Sequence, residues 1–357
     1  MHEARDKLLG WATDSLVELD PLAPGLIGRV LTASPKSRQA IYTVLASRLL
    51  IAEHNDAFGR VDDGDDANLA FILREGRPRE VLELVFGRVP DGWIGALERL
   101  GGQPMSNLNA YVKLHRVFAD PKHDRKAEAL RHVGQITEKM LSVLDTLDDR
   151  WVHAETLKRL PDVTAAKDFN RAIAFVQSVS SRATDEAVAA AIVRLAPTAR
   201  LSGIVRRYIR RADRFPSHPL HADDDMRPLN SARDLIEAAR RYRNCLASMI
   251  DRALIGQVAF AEFRGEAIVE LRPLTLDRGW LLDAVHVARN AHVPSTLAEE
   301  VERKCAAMGI PSFDQRDTGE DWRRYVRFVR DTGAAGWVAY SSIKRSRNAC
   351  ASDFFSV

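Results

Sequence analysis

The stretch SARDLIEAARRYRNCLASMIDRALIGQ (residues 231–257), followed by VAFAEF (258–263), AIVEL (267–271), WLLDAVHV (280–287) and ARN (288–290), decides the fold of this chain. Its first part repeats apolar residues at helical three-four spacing: Leu235, Ala238, Ala239, Tyr242, Cys245, Leu246, Met249 and Ala253. One helix is expected over this part, with Cys245 on its buried stripe. Arg233, Arg240, Arg241, Arg243 and Arg252 fall largely beside or opposite the stripe, which makes the other side solvated and positive. Gly256 ends the helix, because glycine lets the chain turn out of the right-handed region.

Past Gly256 the apolar period changes to two. With Arg264 and Gly265 as a hairpin tip, Phe260 pairs with Val269 and Val258 with Leu271, which puts four large apolar residues on one face. Ala259, Ala261, Ile268 and Glu270 take the other face. Strict alternation along the third strand sets Trp280, Leu282, Ala284 and His286 on one side. The expected object is a small antiparallel three-stranded sheet with the Cys245 helix packed across it.

Asn244-Cys245-Leu246, Gly256 before a strand, the apolar strand pair, Trp280 opening another strand and Asn290 just after it occur in an order that resembles the PcfJ-like proteins of conjugative plasmids and other bacterial mobile elements. Those proteins carry an (N/H)C(L/V) motif, a following glycine and a late G-x-x-N-like element. Here Val287-Ala288-Arg289 precedes Asn290, so the late glycine is replaced. The resemblance covers the last third of the chain, and upstream segments such as RVPDGWIGALERLGG (88–102) look like the longer members. It implies an association with DNA-transfer or mobile-element machinery and assigns no catalytic residue.

At 357 residues the chain is long enough for two domains, and 46% hydrophobic with 28% charged residues is an ordinary globular composition. Net charge is only +3, so the distribution of charge matters more than its sum. Of the 52 basic residues 42 are arginine, a bias that suits phosphate and that a GC-rich genome also produces. The three cysteines, Cys245, Cys305 and Cys350, are widely spaced and form no CxxC pair, so neither a zinc site nor a disulfide framework is expected. The longest apolar run, Ala187 to Val193, is far too short to span a bilayer, and a cytoplasmic protein without membrane contact is expected.

Residues 1 to about 214 read as helical almost throughout. Ser34-Pro35 opens one helix as N-cap and first helical residue, and segments near 67–75, 78–87, 92–100, 105–119, 124–133 and 135–150 follow between Gly, Pro and Asp clusters. No fixed repeat emerges, so a packed helical bundle or array is expected. Asp62-Asp63-Gly64-Asp65-Asp66 lacks the glutamate a calcium loop needs at its twelfth position, where Leu73 stands, and is read as a solvated cap.

The main electrostatic feature is ARLSGIVRRYIRRADRF (199–215). Ile204, Val205, Tyr208, Ile209 and Ala212 make an apolar stripe, and Arg206, Arg207, Arg210, Arg211 and Arg214 a basic face. A second segment, DWRRYVRFVRD (321–331), carries Arg323, Arg324, Arg327 and Arg330, and Lys344, Arg345 and Arg347 make a third cluster. Such faces bind nucleic acid, or stay solvated, or dock on acidic surfaces. Between the halves, FPSHPLHADDDMRPLNS (215–231) reads as a linker from 215 to 230, leading into an α+β domain over 231–357. Its His218, His221 and Asp223 to Asp225 match no closed metal site, and no metal or cofactor is expected.

There is no GxxxxGK[ST] loop, GxGxxG turn, HExxH helix or GxSxG elbow. A Cys245/His286 pair remains conceivable as thiol and base, although a mid-helix cysteine on an apolar stripe reads first as packing. The sequence thus points to an α+β, mostly α protein acting as a non-enzymatic nucleic-acid-associated or scaffold factor of a mobile-element, conjugation or defence system. Its expected partners are nucleic acid, DNA ahead of RNA, or a protein of the same system. The alternatives are a nuclease-like or thiol-dependent enzyme using the Cys245/His286 region, and an interaction adaptor that touches no nucleic acid.

Overall fold

The computed structural model describes residues 10–54, 66–274 and 279–312, with side chains from 52 to 54 excepted. The second and third basic clusters, including Arg323, Arg324, Arg327 and Arg330, lie outside the described residues, as do Cys350 and most of the acidic loop at 62–66. The chain divides into two compact units, Met1–Ala212 and Asp213–Val357.

In the first unit thirteen described helices follow one another: α1 Trp11–Leu19, α2 Leu26–Thr32, α3 Pro35–His54, α4 Asp66–Glu75, α5 Pro78–Phe86, α6 Trp93–Glu98 and α7 Asn109–Ala119, then α8 Asp124–Arg131, α9 Glu138–Thr146, α10 Ala154–Leu157, α11 Val163–Val179, α12 Asp185–Val193 and α13 Leu201–Ile209. Local chemistry sets many of their starts. Asp162, Thr137 and Thr184 each accept a backbone N–H of the first turn of the helix that follows. Pro78 begins α5, while Glu80 reaches back to the Arg77 N–H at 2.8 Å.

The helices pack around Trp93, Trp151, Tyr42 and Tyr111, all under 2% exposed. A polar knot lies inside this core. The Gln39 amide donates to the carbonyl of Gly101, Tyr111 donates to Gln39 Oε1 at 2.9 Å, and the Met105 N–H donates to the Tyr111 hydroxyl at 3.1 Å. Buried polar atoms this completely paired fix the 101–105 loop on α3 and α7.

The second unit is built on a four-stranded antiparallel meander, β1 Met226–Pro228, β2 Ala259–Phe263, β3 Ala267–Pro273 and β4 Trp280–His286, in spatial order β1-β2-β3-β4. The α+β class holds, with one strand more than the three expected. The extra strand comes from the stretch read as a linker. Met226 pairs with Phe263 and Pro228 with Ala261, Leu220 is buried, and His218 donates from Nε2 to the Phe260 carbonyl at 2.9 Å while accepting the Leu220 N–H at Nδ1. Proline and acidic composition signalled irregular backbone there, yet the segment is packed into the second unit.

Three further expectations change. The helix expected through Ala253 stops at Tyr242: α14 spans Ala232–Tyr242, Arg243 takes the left-handed conformation at φ 52°, and the Asn244 N–H closes onto the Ala239 carbonyl. Asn244 Oδ1 then accepts from the Leu246 N–H, a local turn that competes with helix. A short 3-10 turn, Leu246–Ser248, and α15, Ile250–Leu254, bury Leu246, Ile250 and Leu254 and leave Cys245 exposed. Gly256, at φ 72°, does end this helical stretch.

The β2–β3 register is one residue off the expected one: Ala261 pairs with Val269 and Phe260 with Glu270. The tip is a three-residue loop because Arg264 and Gly265 both adopt positive φ and the Glu266 N–H bonds back to Phe263. In β4 alternation breaks at Asp283, where the β3 partner changes from Ala284 to Leu282 between Glu270 and Leu271. Trp280 and Leu282 therefore pack with Ala261, Phe263, Val269 and Leu271 against Val301 and Cys305 of α16, Ser295–Ala307. Ala284 and His286 point to the opposite side, the side of Glu262 and Glu270.

Candidate functional site

In α13 the buried residues are Leu201, Ile204 and Tyr208, and Ala212 just beyond is buried too. That spacing fixes the opposite side outward, and Arg206, Arg207, Arg210 and Arg211 are all exposed. Among the described residues none of the four has an ion-pair partner, whereas Arg48, Arg150 and Arg159 of the same unit are paired with carboxylates. Arg214, also exposed, belongs to the second unit and is not without a partner.

Like charges at Arg206/Arg210 and Arg207/Arg211 sit one turn apart, which costs about 0.2–0.5 kcal/mol per pair. Their place at the helix C-terminus, where the backbone dipole is negative, offsets part of that cost. Among the described residues the face is an unpaired cationic surface with planar donors suited to phosphate oxygens.

Among the described residues of the second unit, two buried carboxylates lie on one sheet face. Glu262, 4% exposed, accepts from the Tyr242 hydroxyl at 2.8 Å and from Arg241, with Arg227 at 3.6 Å. Burial, and then the Glu262 hydrogen bond, hold the Tyr242 phenol in its neutral form well above its usual range. Glu270, 8% exposed, lies 2.9 Å from His286 Nε2 and 3.3 Å from Arg272, whose Nε binds Asp283 at 2.8 Å. Burial raises the Glu270 carboxyl, but the His286 bond and charge, with Arg272, carry it below the ordinary carboxylate range. The Asp283 bulge residue and the buried Glu270 are thus bridged by one guanidinium.

The residues singled out by the family resemblance are dispersed in role. Trp280 packs on the α16 side, and Gly256 serves the helix end. Asn290 follows Arg289 in a 3-10 turn, Ala288–Asn290, that lies against α14. Arg289 and Asn290 both take positive φ, 59° and 51°, the conformation for which glycine is the usual residue. Cys245 is exposed, so the reading of it as core packing is wrong, and the buried thiol is Cys305, whose pKa burial pushes up to about 11.

Sequence reasoning missed Glu262 and Arg241 as a pair. The visible signal was a glutamate inside each of two otherwise apolar strands, AFAEF and AIVEL. Asp223 and Asp225 of the acidic run are taken up by Lys304 and Arg264.

No family model, curated protein or solved structure matches the chain. Among the described residues no helix is long and apolar enough to cross a membrane.

Proposed function

We propose that this chain is a non-enzymatic nucleic-acid-associated or scaffold factor of a mobile-element, conjugation or defence system that holds phosphate on Arg206, Arg207, Arg210 and Arg211. The observation that carries this reading is that four exposed arginines gather at one end of a helix whose other side is locked in the core, with no carboxylate paired to them among the described residues. The order of Asn244, Cys245, Gly256, Trp280 and Asn290 supplies the cellular context, through its likeness to PcfJ-like proteins. Arg323, Arg324, Arg327 and Arg330, which lie outside the described residues, are proposed as separate nucleic-acid contacts. DNA is the favoured partner ahead of RNA.

A shift assay at low salt with single- and double-stranded DNA and with RNA tests it. Four phosphate contacts predict a loss of about a hundredfold in duplex affinity between about 50 and 200 mM salt. Changing the four arginines to glutamate is expected to abolish binding while leaving the melting temperature unchanged. Absence of binding to every nucleic acid removes the reading and leaves the adaptor. A drop in melting temperature in the variant assigns the face to docking within a protein surface.

One observation favours an enzyme as the second reading: buried Glu270 orients the imidazole of His286, as a carboxylate does behind a general base. Cleavage of labelled DNA or RNA by the wild type that disappears in His286→Ala would establish it. No cleavage by the wild type removes its nuclease form.

A further inference from the structure

The turn between α11 and α12 meets the end of α13. Ser180 Oγ donates to the carbonyl of Arg211 at 3.4 Å, and the Ala183 N–H closes the turn onto Ser180. Two residues after Ser180 stands Arg182, exposed and without an ion-pair partner among the described residues. Val179 and Ala183 on either side are buried, so the turn is anchored at both ends and Arg182 is carried on a fixed support. Tertiary structure thus adds a fifth arginine to the four at the C-terminal end of α13, and it comes from a different segment of chain.

The aromatic residue set among the arginines of 206–211 faces the other way. Tyr208, between Arg207 and Arg210 in sequence, is 5% exposed and belongs to the core. Surfaces that select single strands stack bases on exposed aromatic rings, whereas backbone contact alone rewards charge density. Counterion release makes the same point in numbers. Each phosphate neutralised on a duplex contributes a slope of about −0.9 in log affinity against log salt, and on a single strand about −0.7. Over five contacts at about 0.1 M salt the difference favours the duplex by about tenfold.

We infer that Arg182, Arg206, Arg207, Arg210 and Arg211 form one composite surface for the sugar-phosphate backbone of a nucleic-acid duplex, bound without regard to base sequence. This rests on the nucleic-acid reading above and specifies the form of the partner.

Fluorescence anisotropy of the full chain with a labelled random-sequence DNA duplex, and with one of its strands alone, tests it. The duplex is expected to bind about tenfold more tightly at about 0.1 M salt. Arg182→Gln is expected to lower the slope by about 0.9 and the affinity about eightfold at that salt, with the melting temperature unchanged. Arg88→Gln, removing an exposed arginine of the α5–α6 loop, is expected to leave both unchanged. A single strand that binds as well as the duplex, or an Arg182→Gln slope equal to wild type, overturns the composite duplex surface and leaves the broader reading standing. Failure of both probes to bind overturns the two together.

Discussion

His286 meets Glu270 through Nε2 and Oε2 at 2.9 Å because Asp283 is bulged out of the β3–β4 pairing. Without that extra residue, alternation would carry His286 to the α16 side of the sheet. The same Asp283 is held by Arg272, which also touches Glu270, so the bulge and the pair it creates are tied by one side chain.

Removing His286 leaves Glu270 buried with only Arg272 beside it. His286→Ala is expected to lower stability by about 1–2 kcal/mol, a value kept modest because the imidazole is partly exposed. The Glu270 carboxyl titrates below its unfolded value, so its contribution is present above pH about 4.5 and is lost as pH falls through the depressed folded value. Urea melts of wild type and His286→Ala from pH 7 to 3 check this, since the acid-side loss is expected to shrink in the variant.

His218 gives a second, higher pH limb. Burial lowers its pKa below the usual imidazole range, although the bond it donates to the Phe260 carbonyl opposes the shift. The unfolded chain then binds the proton first. Stability is full above pH about 6.5 and declines as pH drops toward the folded value. His218→Gln is expected to be less stable at neutral pH and to lose the slope in that interval, read by thermal melts across pH 5 to 8.

The two described cysteines are expected to separate chemically. Iodoacetamide should modify exposed Cys245 quickly in the folded chain and spare Cys305, which is fully buried with a raised pKa, until the protein unfolds. Peptide mapping by mass spectrometry reads both sites. Equal rates at the two thiols would contradict the placement of the Arg243 turn.

Gln39→Leu strips partners from the Gly101 carbonyl and the Tyr111 hydroxyl inside the first unit. Orphaned buried polar groups cost about 1–3 kcal/mol each, so a loss of about 3 kcal/mol is expected. Tyr111→Phe leaves the Met105 N–H and Gln39 Oε1 without the hydroxyl and should cost about half as much. Denaturant titration of both variants measures the order.

The sequence by itself determined the class of the fold and most helix positions, because those follow from short-range periodicity and capping chemistry. Ser34-Pro35 opening α3, Pro78 opening α5 and Gly256 closing the helical stretch before β2 were legible for that reason. Of the expected basic helix face, Arg206 and Arg207 fall within α13, which stops at Ile209; Arg210 caps it and Arg211 and Arg214 lie beyond its end. Only the tertiary structure decided the rest. Strand register turned on whether the tip holds two residues or three, and positive φ at Arg264 settled it. One unpaired residue, Asp283, reversed the face of His286, and a left-handed Arg243 turned Cys245 out of the core. Glu262 with Arg241, Glu270 with His286, and Arg182 beside α13 join residues far apart in the chain. Period and spacing carry no record of such meetings, because long-range packing sets them.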